Sequence, residues 1–146
     1  MKSSKERSNS SKEDEVLKLD WTKYISQIYE LAAAVKRSKI KFDLLYAVPR
    51  GGNIPGTILS HELGIKMVDD LVPSEYKNKN LLLVDDVCDS GKVLTEYVGY
   101  VINSTTSIPP KNVKTAVLYK HEKADFIPDF FVGLNKNWVT FPFEKD

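Results

Sequence analysis

The pattern of apolar and polar residues predicts three helices. Between Trp21 and Val35, apolar residues recur at the three- and four-residue spacing of one helix face, and Asp20 stands where it can cap the helix N-terminus. A second helix is predicted at Ile54–Leu63, with Gly64 suited to the turn that ends it. A third is predicted at Val93–Ile102. Each helix has a polar face and an apolar face, so each is expected to pack against a larger core.

Short apolar runs between these helices predict strands. They lie at Leu44–Val48, Lys66–Asp70, Leu81–Val84, Val113–Tyr119, Phe130–Val132 and Trp138–Phe141. Strands that alternate with helices indicate an α/β fold, in which a mostly parallel sheet is flanked by helices on both faces. Ligands of such folds bind at the carboxyl ends of the strands. The polar segments that follow these strands are therefore expected to meet at one edge of the sheet.

Composition and charge narrow the class of protein. The chain has 146 residues and a net charge of +1, which gives no reason to expect bulk electrostatic binding to nucleic acid or to a membrane. No apolar run approaches the ~20 residues of a membrane span, and no secretory apolar region is recognisable. Cys88 is the only cysteine, which excludes an intrachain disulfide and a cysteine-based zinc site. A cytoplasmic location is the resulting expectation.

The N-terminal segment differs from the rest of the chain. Residues 1–15 contain five serines and eight charged residues, with no apolar side chain after Met1. Such a segment cannot bury enough surface to fold, so it is predicted to be a disordered tail. The folded domain is predicted to span residues 16–146.

Residues 81–94, which read LLLVDDVCDSGKVL, carry the most specific chemical signal. An apolar strand leads into two carboxylates, Asp85 and Asp86, and Asp89 then opens a short turn of small residues before a helix begins. Backbone N–H groups of such a turn, together with the helix dipole, suit a phosphate. Carboxylates just before it suit a magnesium ion or ribose hydroxyls. The pattern predicts a site for a phosphorylated sugar with its metal.

This stretch resembles the phosphoribosyl pyrophosphate (PRPP) signature of type I phosphoribosyltransferases. Residues 47–56, which read AVPRGGNIPG, are similar to the pyrophosphate loop of that family. Lys120, residues 128–133 (PDFFVG) and residues 138–144 (WVTFPFE) match its purine branch, which comprises the xanthine, guanine and hypoxanthine enzymes. The resemblance covers roughly residues 20–145. It implies the family's parallel sheet flanked by helices, with a small C-terminal hood that binds the base.

The resemblance also implies a reaction and a role for each site residue. A 6-oxopurine and PRPP would give a nucleoside monophosphate and pyrophosphate, with Mg²⁺ as cofactor. Asp85 and Asp86 would hold the ribose hydroxyls and the magnesium shell, and Asp89 would exchange a proton with N7 of the purine as the catalytic residue. The remaining implied contacts are Ser90, Gly91, Lys92 and Val93 with the 5′-phosphate, Arg50 and Gly51 with pyrophosphate, Lys120 with the purine O6, Trp138 stacked on the base, the Val139 backbone with its exocyclic edge, and Glu144 with the metal through water. The family is usually dimeric or larger, so a homo-oligomer is implied.

The residue types suit this chemistry without reference to the family. As pyrophosphate leaves C1′, positive charge builds on the ribose, and magnesium and Arg50 neutralise the leaving group. Asp89 can take the purine proton if its neighbours raise its pKa. The ammonium of Lys120 donates but cannot accept, so it selects a 6-oxo group over the 6-amino group of adenine.

The sequence departs from the family pattern at two places. Val93 stands where the family usually has a threonine whose hydroxyl bonds the 5′-phosphate, a loss worth roughly 1.5–3 kcal/mol. Most relatives also carry a long flexible lid with a Ser-Tyr pair, whereas only eleven residues, Asp70–Asn80, connect the two strands here. Ser74, Glu75 and Tyr76 stand where a remnant of that lid would be. The site would then be completed from elsewhere, such as a partner subunit, or turnover would be slow or lost.

Three functions therefore remain open at the level of sequence. The first is a purine-salvage enzyme for guanine, xanthine or hypoxanthine, which the sequence does not rank. The second is a non-catalytic PRPP- or nucleotide-binding regulator, which Val93 and the short connection favour. The third is a phosphoribosyltransferase for a non-purine base, in which Lys120 and Trp138 would match by coincidence.

Overall fold

A computed structural model describes residues 17–103 and 111–144 of the chain. The predicted disordered tail, residues 1–15, lies outside the described residues. The helices are α1 (Trp21–Arg37), α2 (Asn53–Leu63), α3 (Pro73–Tyr76) and α4 (Lys92–Asn103). The strands are β1 (Leu17–Lys18), β2 (Leu44–Ala47), β3 (Lys66–Val68), β4 (Asn80–Val84), β5 (Val87–Cys88), β6 (Asn112–His121), β7 (Phe130–Asn135) and β8 (Val139–Thr140).

Six strands form one parallel sheet, as the alternating pattern predicts. Along it the order is β3-β2-β4-β6-β5, and β7 pairs with the opposite edge of β6. Strand β6 is long enough to serve two neighbours on one edge, because β4 pairs with its first half and β5 with Tyr119 and Lys120 in its second half. The carboxyl ends of β2, β4 and β6 therefore lie side by side, which brings the segments after them together.

Alternating side chains of the strands build a core on each face of the sheet. Leu45, Leu82 and Leu118 face α1 and α2, where Ile28 and Leu31 are fully buried. On the other face, Leu81 and Leu83 pack with Tyr76 and with Val101 of α4. The expected arrangement of helices on both faces is confirmed. No helix within the described residues is long and apolar enough to cross a bilayer.

The ends of the helices follow the signals in the sequence. Asp20 caps α1, since its carboxylate accepts a 2.7 Å hydrogen bond from the Lys23 amide. Gly64 ends α2 in the left-handed conformation, with φ of 66°, and its amide bonds the Ser60 carbonyl. These contacts satisfy backbone groups that a helix end would otherwise leave without partners.

A second, two-stranded sheet forms the hood at the C-terminal end of the fold. Strand β8 pairs in parallel with β1, and the Leu17 amide donates to the Trp138 carbonyl at 3.0 Å. The strand predicted at Trp138–Phe141 is observed only at Val139–Thr140. Its partner β1 was not predicted, because two residues are too few to show a period. The N-terminal end of the described chain therefore helps to hold the C-terminal segment in place.

Candidate active site

Asp85 and Asp86 form the acidic edge of the site, and backbone hydrogen bonds to β6 hold both residues in place. The Asp85 amide donates to the Ala116 carbonyl at 3.0 Å, and the Asp86 carbonyl accepts from the Leu118 amide at 3.0 Å. The Asp85 carboxylate accepts from the Asp86 amide at 2.8 Å. Asp85 is buried and Asp86 is partly buried. Both acids are therefore held in place at the carboxyl end of β4 before any ligand binds.

Burial and nearby negative charge raise the pKa of both acids and so disfavour their charged forms. Burial, followed by the charge of Asp86, raises the pKa of Asp85 to about 8. Burial also raises the pKa of Asp86, and the nearby charge of Glu144 adds to this effect. Within residues 17–103 and 111–144, neither acid forms an ion pair. The charge of the acidic pair is therefore not balanced by an ion pair within these residues, and a bound cation could balance it.

A tight turn after β5 forms the phosphate loop. Gly91 has φ of +92°, a conformation that side chains rarely adopt, and a Cβ there would lie 2.3 Å from Cβ of Phe126. The Lys92 amide donates to Ser90 Oγ at 3.2 Å, and the Thr95 amide and hydroxyl both donate to the Gly91 carbonyl. The loop lines a cavity of about 330 Å³ at the N-terminus of α4. Helix dipole and loop amides both favour an anion there.

The loop after β2 reaches the same acidic edge. The peptide bond between Pro49 and Arg50 is cis. Gly51 packs so closely on Asp86 that a Cβ would lie 2.2 Å from Asp86 Oδ2, and only glycine leaves room for this approach. Arg50, Gly51, Asp86 and Glu144 line an open cavity of about 830 Å³. The structure thus places the predicted pyrophosphate residues beside the predicted metal residues.

The hood closes a smaller cavity of about 170 Å³ against the acidic edge. Asp89, Trp138, Val139 and Glu144 line this cavity. Trp138 is half exposed, while Val139 is buried. The Glu144 carboxylate accepts from the Phe141 amide at 2.8 Å, which fixes it in the wall. Because Asp89 and Trp138 also line the phosphate-loop cavity, the two cavities adjoin.

Lys120 lies near this group but outside the lining of the three cavities. It is buried at the end of β6, opposite Cys88 and Leu134, and its ammonium donates to the His121 carbonyl at 3.0 Å. An ammonium has three donors, so this contact leaves others for a ligand. Lys120 is therefore the one predicted base contact that the cavities do not include.

The connection between β3 and β4 is built into the core. Its single helical turn, α3, buries Tyr76 against Leu81, Leu83 and Val101. Tyr76 is only 1% exposed, so it serves packing, and the idea that it is a remnant of a lid finds no support in its position.

Sequence reasoning missed several residues around the site, including Asn135 and Phe126. Asn135 lines the hood cavity, and Phe126 covers the phosphate loop at Gly91. An asparagine near a predicted turn and a phenylalanine in a connecting segment are common, so neither gave a chemical signal. Their places depend on β7 and on the segment after β6, which only the folded chain brings to the edge.

The acidic pair suits a divalent cation, although it does not form a complete cage for one. Within the described residues, no group of three or more histidine, cysteine, aspartate or glutamate side chains is arranged to hold a metal. Mg²⁺ is commonly bound through one or two carboxylates together with water and substrate phosphates. Asp86 and Glu144 line two of the cavities together, which fits that mode of binding.

Comparison with known proteins identifies the class. No protein-family model matches the chain. Xanthine-guanine phosphoribosyltransferase of Vibrio atlanticus is 28% identical over 117 residues, covering 68% of this chain and 71% of that protein. Purine phosphoribosyltransferase from Pyrococcus horikoshii has a similar crystal structure, with a TM-score of 0.75 and 29% identity over 89% of this chain and 95% of that one. A Neisseria gonorrhoeae protein with bound ppGpp has a TM-score of 0.71 and 23% identity, covering 90% and 91% of the two chains.

The parallel sheet and the segments at its carboxyl edge thus define a type I phosphoribosyltransferase fold. Within that class, the chain is similar to the purine (xanthine, guanine, hypoxanthine) phosphoribosyltransferases. The fold predicted from the sequence and the predicted resemblance to this family are confirmed.

Proposed function

We propose that this chain transfers the 5-phosphoribosyl group of PRPP to a 6-oxopurine, namely guanine, xanthine or hypoxanthine, as an enzyme of purine salvage. One observation carries the proposal. Asp89 and Trp138 line both the hood cavity and the phosphate-loop cavity, so a base in the first would adjoin a sugar phosphate in the second. Transfer requires this juxtaposition, because the reacting atoms must be held close together.

The phosphate loop and the acidic edge would bind the phosphoribosyl group. Backbone amides of Asp89–Val93 would donate to the 5′-phosphate at the start of α4. The carboxylates of Asp85 and Asp86 would accept hydrogen bonds from the ribose hydroxyls. Arg50 and the Gly51 amide would bind pyrophosphate in the open cavity and stabilise its charge as the bond to C1′ breaks.

Asp89 would act on the base. Its carboxylate, in the wall shared with Trp138, would take or share the purine proton at N7. Trp138 would stack on the ring, and the Val139 backbone would bond the exocyclic edge. Lys120 would donate to O6 with a hydrogen that its contact with the His121 carbonyl leaves available.

Asp86 and Glu144 would hold Mg²⁺, Glu144 through water, between the hood cavity and the pyrophosphate cavity. The cation would neutralise negative charge on the pyrophosphate oxygens and on the acidic pair. We further propose a cytoplasmic location, where a highly charged substrate such as PRPP is made and kept, and a homo-oligomer, as in related enzymes.

The test is an assay of the chain with PRPP, Mg²⁺ and each of guanine, xanthine, hypoxanthine and adenine. Monophosphate is expected from the 6-oxopurines and not from adenine. Asp89→Asn should lower kcat by about a hundredfold or more while PRPP binding changes little. Asp69→Asn is the matched control, because Asp69 is exposed and lines none of the three cavities. PRPP binding without product from any base would refute the catalytic proposal.

A second candidate is a regulator that binds PRPP or a nucleotide without turnover. Val93, which is exposed on the phosphate loop and has no hydroxyl, favours it, as does the core-packed connection between β3 and β4. A fold neighbour that binds ppGpp gives a ligand to test. Binding of ppGpp or PRPP by an inactive chain would support this candidate, whereas product from a 6-oxopurine would exclude it.

A further inference from the structure

Asn135, a residue that lines the hood cavity, has a buried side-chain oxygen with no partner among the described residues. Three buried side-chain oxygens lack a partner there, those of Tyr24, Gln27 and Asn135. Of these residues, only Asn135 lines the hood cavity, together with Asp89, Trp138 and Val139. Its side chain is 6% exposed. A buried acceptor without a partner is costly, so a ligand that donates to it gains binding energy.

The neighbours of Asn135 fix which way its amide points. Its Nδ2 donates to the Asn137 carbonyl at 2.5 Å, and the backbone carbonyl of Asn135 accepts from the Glu122 amide at 2.9 Å, which holds the residue in place. Rotating the amide by half a turn would place Oδ1 against the Asn137 carbonyl, where two acceptors repel. Oδ1 is therefore kept as an acceptor and cannot exchange roles with the donor of the same amide.

We propose that Asn135 selects guanine among the 6-oxopurines by accepting a hydrogen bond from its 2-amino group. This inference rests on the proposed function of the site. At position 2, guanine presents an N–H donor, hypoxanthine a C–H group and xanthine a carbonyl oxygen. A fixed acceptor bonds the first, gains nothing from the second and repels the third.

The charges around the hood cavity act in the same direction. Asp86, Asp89 and Glu144 line it, and no basic residue does so within the described chain. Xanthine is the most acidic of the three bases and loses a proton near neutral pH. An anionic base would therefore meet like charges from the lining of this cavity, with only the Lys120 ammonium proposed for O6 to offset them, whereas neutral guanine would not. Asn135 and the carboxylates together rank guanine first, hypoxanthine second and xanthine third.

The test compares kcat/KM for the three bases in the wild-type chain and in variants. Wild type should prefer guanine over hypoxanthine by at least about tenfold, which corresponds to one neutral hydrogen bond, and over xanthine by more. Asn135→Leu should lower the guanine-to-hypoxanthine ratio by about tenfold, and any preference that remains would come from the Val139 backbone. Lys136→Gln is the matched control, since Lys136 is exposed and contacts His121 only through its backbone carbonyl.

Equilibrium binding of GMP, IMP and XMP gives a readout that does not need turnover. If no base yields product, the proposed enzyme fails, yet tighter GMP binding that Asn135→Leu abolishes would still establish the role of Asn135. If Asn135→Leu fails to fold, Asn135→Ser, which shortens the side chain, replaces it in both measurements. An equal preference for guanine and xanthine in wild type would overturn the inference. So would a guanine preference that loss of the amide leaves unchanged.

Discussion

Gly51 shows at the scale of one residue how the loop after β2 depends on the acidic edge. A methyl group at Gly51 would lie 2.2 Å from Asp86 Oδ2, so Gly51→Ala must move the carboxylate or the loop. We expect PRPP affinity to fall by about ten- to a hundredfold, because a displaced carboxylate or loop loses a contact with a charged group worth about 1.5–3 kcal/mol. Calorimetric titration of the chain with PRPP, in the presence of Mg²⁺, measures this affinity.

Gly99→Ala is the control for this substitution. Gly99 lies in α4, and nothing lies within 4 Å of the position that its Cβ would take. Alanine there should leave PRPP binding unchanged and raise the stability by about 0.5–1 kcal/mol. Equal losses of PRPP affinity in both variants would show that the Gly51–Asp86 contact has no special role.

Val93 offers a substitution that should improve the site. It is half exposed at the start of α4, in the wall of the phosphate-loop cavity. Val93→Thr adds a hydroxyl of similar shape that can donate to the 5′-phosphate, so we expect PRPP to bind about tenfold more tightly. Val93→Ala, which loses the methyl groups without gaining a donor, should not show this gain. Weaker PRPP binding by the threonine variant would place the phosphate elsewhere.

Asp85 links stability to pH. Burial raises its pKa from 3.8 to about 8, so between these values the folded chain binds more protons than the unfolded chain. Stability of the ligand-free chain should therefore fall as the pH rises through this window, by up to about 1.4 kcal/mol per unit, and level off above it. Denaturant unfolding at pH 5, 6, 7 and 8 tests this. Asp85→Asn should flatten the profile, and a variant with the wild-type slope would assign the effect to another group.

At the scale of elements, an aromatic cluster fastens α1 to the hood. The Tyr24 ring lies 5.5 Å from that of Phe141 and 5.7 Å from that of Phe143, and Trp21 flanks both Tyr24 and Phe143. The Tyr24 hydroxyl is buried and has no partner among the described residues. The ring, and not the hydroxyl, therefore stabilises the contact.

Two variants separate the ring from the hydroxyl. Tyr24→Ala should cost about 3–5 kcal/mol of stability and raise the KM for the base, because the hood loses its support. Tyr24→Phe should keep the stability or raise it by about 1 kcal/mol, since it removes an unsatisfied buried group. Tyr29→Phe, at an exposed position of the same helix, should have no effect in thermal unfolding. A clear loss of stability in Tyr24→Phe would mean that the hydroxyl has a partner.

The longer elements could be predicted because their patterns are local. The apolar face of α1, the cap at Asp20 and the αL residue Gly64 are all read from neighbouring residues, and the structure confirms them. Strands β1 and β5 have two residues each, and α3 has four, so none is long enough to show a period. These elements exist because partners distant in sequence, such as Val139 for Leu17, hold them.

The residues of the site likewise divide into those that a local motif predicts and those that only the folded chain brings together. Asp85, Asp86, Asp89 and Gly91 lie in one continuous motif, and the structure places them at one edge of the sheet. Asn135 was missed because its importance comes from a cavity that Asp89 and Trp138 complete from other parts of the chain. The position of Lys120 was predicted, but its bond to the His121 carbonyl depends on the conformation of its own long side chain.

At the scale of the whole molecule, the parallel sheet determines where the chemistry can occur. Loops after β2, β4 and β5 meet the hood at the carboxyl edge, and Asp86 belongs to the lining of all three site cavities. The two-stranded sheet of β1 and β8 lies on the side where we propose that the base binds. This arrangement suits the joining of a sugar phosphate to a base better than the binding of either one alone.

The most direct test of that claim is phosphorus NMR of the chain with PRPP, Mg²⁺ and guanine. We predict that the PRPP signals disappear and that those of GMP and pyrophosphate grow in equal amounts. In the Asp89→Asn variant, the PRPP signals should change little over the same time. If PRPP and guanine both bind to the site and the PRPP signals nevertheless persist, the proposed reaction does not occur and the account is contradicted.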